Sequence, residues 1–108
     1  MEDSFTTREH QFEAKFAHDE ELKFKIVAHR NKLFAAWVAA QMGDRAPPHY
    51  AGSFLEFALG RTPAELIKKA ASDMSAQGVA MEAPKLHKAF VQLHDQSEAD
   101  VKSGAPPA

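Results

Sequence analysis

The chain has 108 residues, a formal net charge of −2 and no cysteine. That length allows one domain with a real core, and the missing cysteine excludes disulfides and thiolate metal sites. Both charge signs are interleaved, so the chain lacks the basic excess on which general nucleic-acid binding depends. Charged residues make up 26% and apolar ones 44%, an ordinary globular mix. Ala, Lys, Glu and Leu outweigh the β-branched residues, which favours helices over strands. The N-terminus lacks the basic start and apolar run of a signal peptide, and no apolar run is long enough to span a bilayer. The expected location is the cytoplasm.

After Met1, the only large apolar residues before Leu22 are Phe5, Phe12 and Phe16. Offsets of seven and four place them along one narrow edge of a helix, among Arg8, Glu9, Glu13 and Lys15. Thr6 and Glu9 have the spacing of a capping box, so a helix is expected to start there and run through Phe16. A stripe this thin builds no core alone. It either folds back onto the rest of the chain or enters a groove on another protein, and periodicity leaves both readings open. The polar interval from Ala17 to Glu21 reads as a hinge or as a solvated stretch of continuous helix.

From Leu22 to Met42 the apolar arc widens: Leu22, Phe24, Ile26, Val27, Leu33, Phe34, Trp37, Val38 and Met42 are expected to face a core. Lys23, Arg30, Asn31 and Gln41 are placed on the opposite, polar side. Gly43 is the expected stop and Pro47-Pro48 a loop. Tyr50, Phe54, Leu55, Phe57, Ala58 and Leu59 predict a short helix ending at Gly60. Thr62-Pro63-Ala64-Glu65 is the strongest helix start, with a capping Thr, Pro at the first helical position and Glu closing the box. Leu66, Ile67, Ala70, Ala71 and Met74 form its buried face, and Gly78 ends it. Pro84 opens the last helix, with Leu86, Phe90, Val91, Leu93 and Val101 inward. The expected fold is all-α, a small four-helix bundle with a mobile N-terminal helical arm. Its parts are an arm over 1–19, a bundle over 20–102 and a disordered tail over 103–108.

Candidate chemistry is sparse. His87 and His94 lie seven apart and His10 and His18 eight apart, neither being the His-x-x-x-His spacing of a metal pair; no metal site is expected. The serines form no nucleophile elbow and no glycine-rich phosphate loop is present, so an enzyme is not expected. Trp37 and Tyr50 are candidate lining of a ligand pocket, although aromatics on a bundle's apolar face are usually core. His18 and Asp19 are a candidate hinge or acid-sensitive element.

The segment Arg8-Glu9-x-x-Phe12-Glu13-x-Lys15-Phe16-Ala17-His18-Asp19-Glu20 is distinctive. It is followed by Leu22-x-Phe24-Lys25 and by Arg30-Asn31-Lys32-Leu33, leading to Trp37. This pattern resembles the zeta-subunit family of α-proteobacterial ATP synthase inhibitors, closely over the first forty residues and loosely thereafter. After Tyr50, where that family usually carries a more acidic stretch, this chain has the apolar run from Ser53 to Gly60. The resemblance implies a non-catalytic regulatory subunit whose N-terminal arm inserts into the catalytic head of an F-type ATP synthase and blocks hydrolysis. Phe5, Phe12 and Phe16 would be its apolar contacts and Arg8, Glu9, Glu13 and Lys15 its polar ones. It also implies a monomer when free, held at the inner face of the plasma membrane when bound. No cofactor is required, though the family is linked to adenine-nucleotide binding by the bundle. The competing expectation is a stand-alone helical ligand-binding module near Trp37 and Tyr50.

Overall fold

The computed structural model describes the backbone of residues 4–104 and the side chains of residues 18–104. Four helices occur in chain order: α1 (Ser4–Met42), α2 (Tyr50–Phe57), α3 (Pro63–Ala76) and α4 (Ala83–Ser103). A single 3-10 turn at Gly43–Arg45 follows α1, and no strand occurs among the described residues. The chain is an all-α helical bundle, as its composition and periodicity predict. α1 packs chiefly against α4 and α2, and α3 closes the bundle against α4 and α1.

α1 is one unbroken helix of 39 residues, about 58 Å long at 1.5 Å per residue. The polar interval after Phe16 is therefore continuous helix. Glu20 pairs with Lys23 at 3.6 Å and Glu21 with Lys25 at 3.1 Å, the spacings at which opposite charges support a helix. Where α1 is docked on the bundle it has already nucleated, so residues further toward the N-terminus extend a helix rather than start one.

The core centres on Phe34, which is fully buried. Its ring lies edge-on to Phe90 at 5.0 Å and to Phe54 at 5.7 Å, and stacks beside Trp37 at 6.1 Å. Ala35, Val38, Met42, Ala58, Leu66, Ala70, Met74 and Leu86 complete the buried cluster.

Three inward expectations fail. Phe24, Val27 and Val91 are exposed, because α1 and α4 carry apolar residues over a wider arc than their neighbours cover. Leu59 lies in the turn after α2, which ends at Phe57, and it is 78% exposed. Conversely Arg30 and Asn31, placed on the polar side from sequence, are buried at 5% and 7% exposure. The buried row of α1 is Ile26, Arg30, Phe34, Val38, Met42, an unbroken series of fourth residues. Arg30 falls in that row. It is accommodated because its Nε and Nη2 both donate to Asn31 Oδ1, at 3.1 and 2.9 Å, and its guanidinium sits 4.7 Å from the Phe90 ring centre. Burial lowers the Arg30 pKa from its ordinary value.

The expected capping box opens α3 in full. Glu65 N donates to Thr62 Oγ1 at 3.2 Å and Thr62 N donates to Glu65 Oε1 at 3.1 Å, with Pro63 at the helix start. The carboxylate accepts from Thr62 N first, then from Thr62 Oγ1 at 3.1 Å and from Arg61, and these bonds hold the Glu65 carboxyl below its ordinary range. Thr62→Ala is expected to cost about 1 kcal/mol, within the 0.5–2 typical of cap removal. Chemical denaturation checks this, and an unchanged midpoint would contradict it. Gly78 and Gly104, both at φ 76°, take the left-handed conformation just after α3 and α4. α4 runs one residue into the stretch expected as tail, and residues 105–108 lie outside the described residues.

Candidate functional site

The informative region is the place where α1 parts from the bundle. Ile26 is the first buried residue of α1 among those with described side chains. From His18 to Lys25 every side chain is exposed except Leu22, which is half-buried. The change is abrupt, and two contacts from α4 mark it. Ser97 Oγ donates to the Ile26 carbonyl at 2.6 Å, both residues being buried. His29 Nε2 donates to Asp100 Oδ2 at 2.9 Å, while Gln96 Nε2 donates to Asp100 Oδ1 at 2.7 Å. His29 foremost, and Gln96 after it, hold the Asp100 carboxyl below its ordinary range.

These staples have a readable origin. Leu86, Phe90, Leu93 and Ser97 recur at offsets of four, three and four, one stripe along α4. A small hydroxyl residue on a core-facing stripe lets two backbones approach and offers a donor to the other helix. On α1, His29 shares a stripe with Leu22, Leu33 and Trp37, at offsets of seven, four and four. The sequence patterns above assign His29, Ser97 and Asp100 no role. The stripe positions were the available signal.

The residues singled out from sequence fall into three sets. Phe5, Arg8, Glu9, Phe12, Glu13, Lys15 and Phe16 lie on the helical backbone of α1 but outside the residues whose side chains are described. His18 and Asp19 are exposed on continuous helix, with no break in the α1 backbone between them. Trp37 and Tyr50 flank the core without sharing a site. Trp37 stacks on Phe34, whereas Tyr50 Oη donates to Asp73 Oδ2 at 2.6 Å. Asp73 also accepts from Lys69 Nζ at 3.1 Å, so it fastens α2 to α3 through Tyr50. Burial first, then the Asp73 bond and charge, push the Tyr50 phenol far above its usual range. Tyr50 borders a cleft of about 350 Å³ with Phe57, Lys69 and Asp73, and Trp37 is not part of its lining.

His87 is exposed and His94 half-buried on α4. No three His, Asp or Glu side chains converge on a common point among the described residues. Among the same residues, no helix is long and apolar enough to cross a membrane.

No curated protein and no solved structure matches the chain. A family model does match, over residues 1–100, and its description is ATPase inhibitor subunit zeta. With nearly the whole chain covered, the bundle and its long first helix belong to the ATPase inhibitor subunit zeta family.

Proposed function

We propose that this chain is a non-catalytic regulatory subunit that inhibits ATP hydrolysis by F-type ATP synthase, inserting the N-terminal part of α1 into the catalytic head. The observation that carries the reading is the absence of any buried α1 side chain between His18 and Lys25, ahead of the staples at Ile26 and His29. Membership of an ATPase inhibitor family supports an ATPase as the target.

Phe5, Phe12 and Phe16 are the apolar contacts in this reading. Burying them contributes roughly 1.5–3 kcal/mol each, and ordering a segment on binding costs roughly 2–5 kcal/mol in return. Arg8, Glu9, Glu13 and Lys15 add charge pairing that fixes register. The mode is a helix held in a groove. A wedge between subunits that must move during turnover arrests the cycle without touching the reacting phosphate. The free protein acts as a monomer and meets its partner at the inner face of the plasma membrane, with no cofactor needed for inhibition.

The test is a double substitution, Phe12→Ala with Phe16→Ala. Inhibition of ATP hydrolysis is expected to weaken by roughly a hundredfold or more, from the loss of two buried rings, with melting barely altered. Unchanged inhibition would overturn the reading. A large loss of thermal stability would assign the rings to the chain's own core instead.

A further inference from the structure

We infer that the open cleft between α1, α2 and α4, beside the point where α1 leaves the bundle, is a second docking surface for the ATP synthase, shaped for an apolar ridge flanked by carboxylates. The inference rests on the function proposed above and extends its interface from the arm to the bundle.

The cleft has a volume of about 630 Å³. Ala28, Leu55 and Val101 line it from three different helices, with Phe24 and Leu59 at its edges. Those two edge residues are 75% and 78% exposed, the largest exposures among the big apolar side chains described. A lone exposed leucine means little, but apolar side chains gathered around one cleft and edged by charge mark an interaction site.

The charge at the edge is one-sided. Lys25 and Lys32 line the cleft, and no carboxylate side chain among the described residues does. Lys25 reaches Glu21 at 3.1 Å, but both side chains are more than half exposed, so that pairing is weak and exchangeable. Lys32 has no ion pair among the described residues. A ridge bearing carboxylates beside its apolar crest would complement such a rim, which favours the correct partner and speeds encounter. A second copy of this chain would bring lysines against lysines. A single alkyl chain would fill the floor but leave Phe24 and Leu59, on separate elements, largely in water.

Position supplies the last argument. Phe24 and Lys25 belong both to the cleft and to the exposed stretch of α1 ahead of Ile26. A body that grips the helix ahead of Phe24 therefore lies next to the cleft. The arm then accounts for arrest, and the cleft adds affinity.

The experiment compares four full-length proteins: the parent, F24S/L59S, K25E/K32E and F12A/F16A. Affinity for purified ATP synthase and inhibition of ATP hydrolysis are measured on each. F24S/L59S is expected to bind roughly tenfold or more weakly with unchanged melting, yet to inhibit fully at saturation. K25E/K32E is expected to weaken binding similarly and to flatten its salt dependence. F12A/F16A is expected to keep residual binding while losing inhibition. Equal affinity of F24S/L59S and the parent would overturn the inference. So would binding of oleate, or self-association, that F24S/L59S abolishes while ATP synthase affinity stays the same. A parent that binds without inhibiting would refute the proposed function but leave the cleft to be judged by the affinities. A parent that does not bind would overturn both.

Discussion

A chain beginning at Asp19 is expected to fold as well as the full-length protein and to have lost inhibition entirely. The core supports the first half. No buried residue of α1 among those described precedes Ile26, and the contacts that pin α1 to α4 act at Ile26 and His29. Removing residues 1–18 therefore takes away none of the described packing, and the change in stability should stay within about 0.5 kcal/mol, as for surface alterations generally. The second half follows from where the inhibitory contacts are proposed to lie: Phe5, Phe12 and Phe16 all go with the deletion. Steady-state ATP hydrolysis by the purified synthase, titrated with each protein, measures it. Equal potency of the truncated and full-length chains would refute the arm as the inhibitory element. A loss of several kcal/mol in folding stability would show instead that the deleted residues belong to the core.

Phe34→Ala is expected to produce the opposite result, a large loss of stability from one side chain. Phe34 is fully buried and touches Trp37, Phe54 and Phe90, so it joins α1 to α2 and α4 at one point. Truncating a buried Phe costs about 3–5 kcal/mol, through lost transfer energy and the cavity left behind. Small domains have only about 5–15 kcal/mol in total, so much of the margin disappears. A domain of this size loses about 4–8 °C of melting temperature per kcal/mol, which makes a fall of about 12 °C or more the expected reading. A calorimetric shift of only a degree or two would mean that the aromatic cluster does not organise the bundle. The two experiments bracket the molecule: a long deletion that costs little stability and a single truncation that costs much.

Helix number and several helix boundaries were readable because they depend on local chemistry. The Thr62–Glu65 capping box, Pro63 and Gly78 act within a few residues of themselves, and each takes the role its type predicts. The faces were less readable. Hydropathy alone places Arg30 in water, yet its spacing from Ile26 and Phe34 places it in the buried row, and spacing decides. Its charge is tolerated because Asn31 and Phe90 surround it, partners that no local rule identifies. Phe24 failed in the other direction. Its hydrophobicity says inside, but burial depends on whether a neighbouring helix reaches that level of α1, and that is a property of the tertiary arrangement. The same reasoning separates Trp37 from Tyr50. Both are aromatic and both border the core, but the Tyr50 hydroxyl is committed to Asp73 across the chain.

The candidate site was readable in part. The narrow phenylalanine stripe and the polar interval after it set the leading segment apart, and the motif from Arg8 to Trp37 carries the family. What the sequence did not disclose is the sharpness of the boundary. Ser97 and His29 with Asp100 create it, and their partners lie 71 residues away in each case. Pairings of that separation depend on how α1 and α4 are set side by side, which stripe analysis of either helix alone does not determine.

Hydrogen exchange on the free full-length protein tests the central claim most directly, because it reads the backbone of α1 residue by residue. Amides from residue 30 to Met42 are expected to share the protection of α4. Those ahead of Lys25 are expected to exchange at rates close to local opening, far faster than global unfolding allows. Protection of residues 5–20 equal to that of residues 30–42 would show that the leading helix is locked onto its own bundle, and would contradict the account.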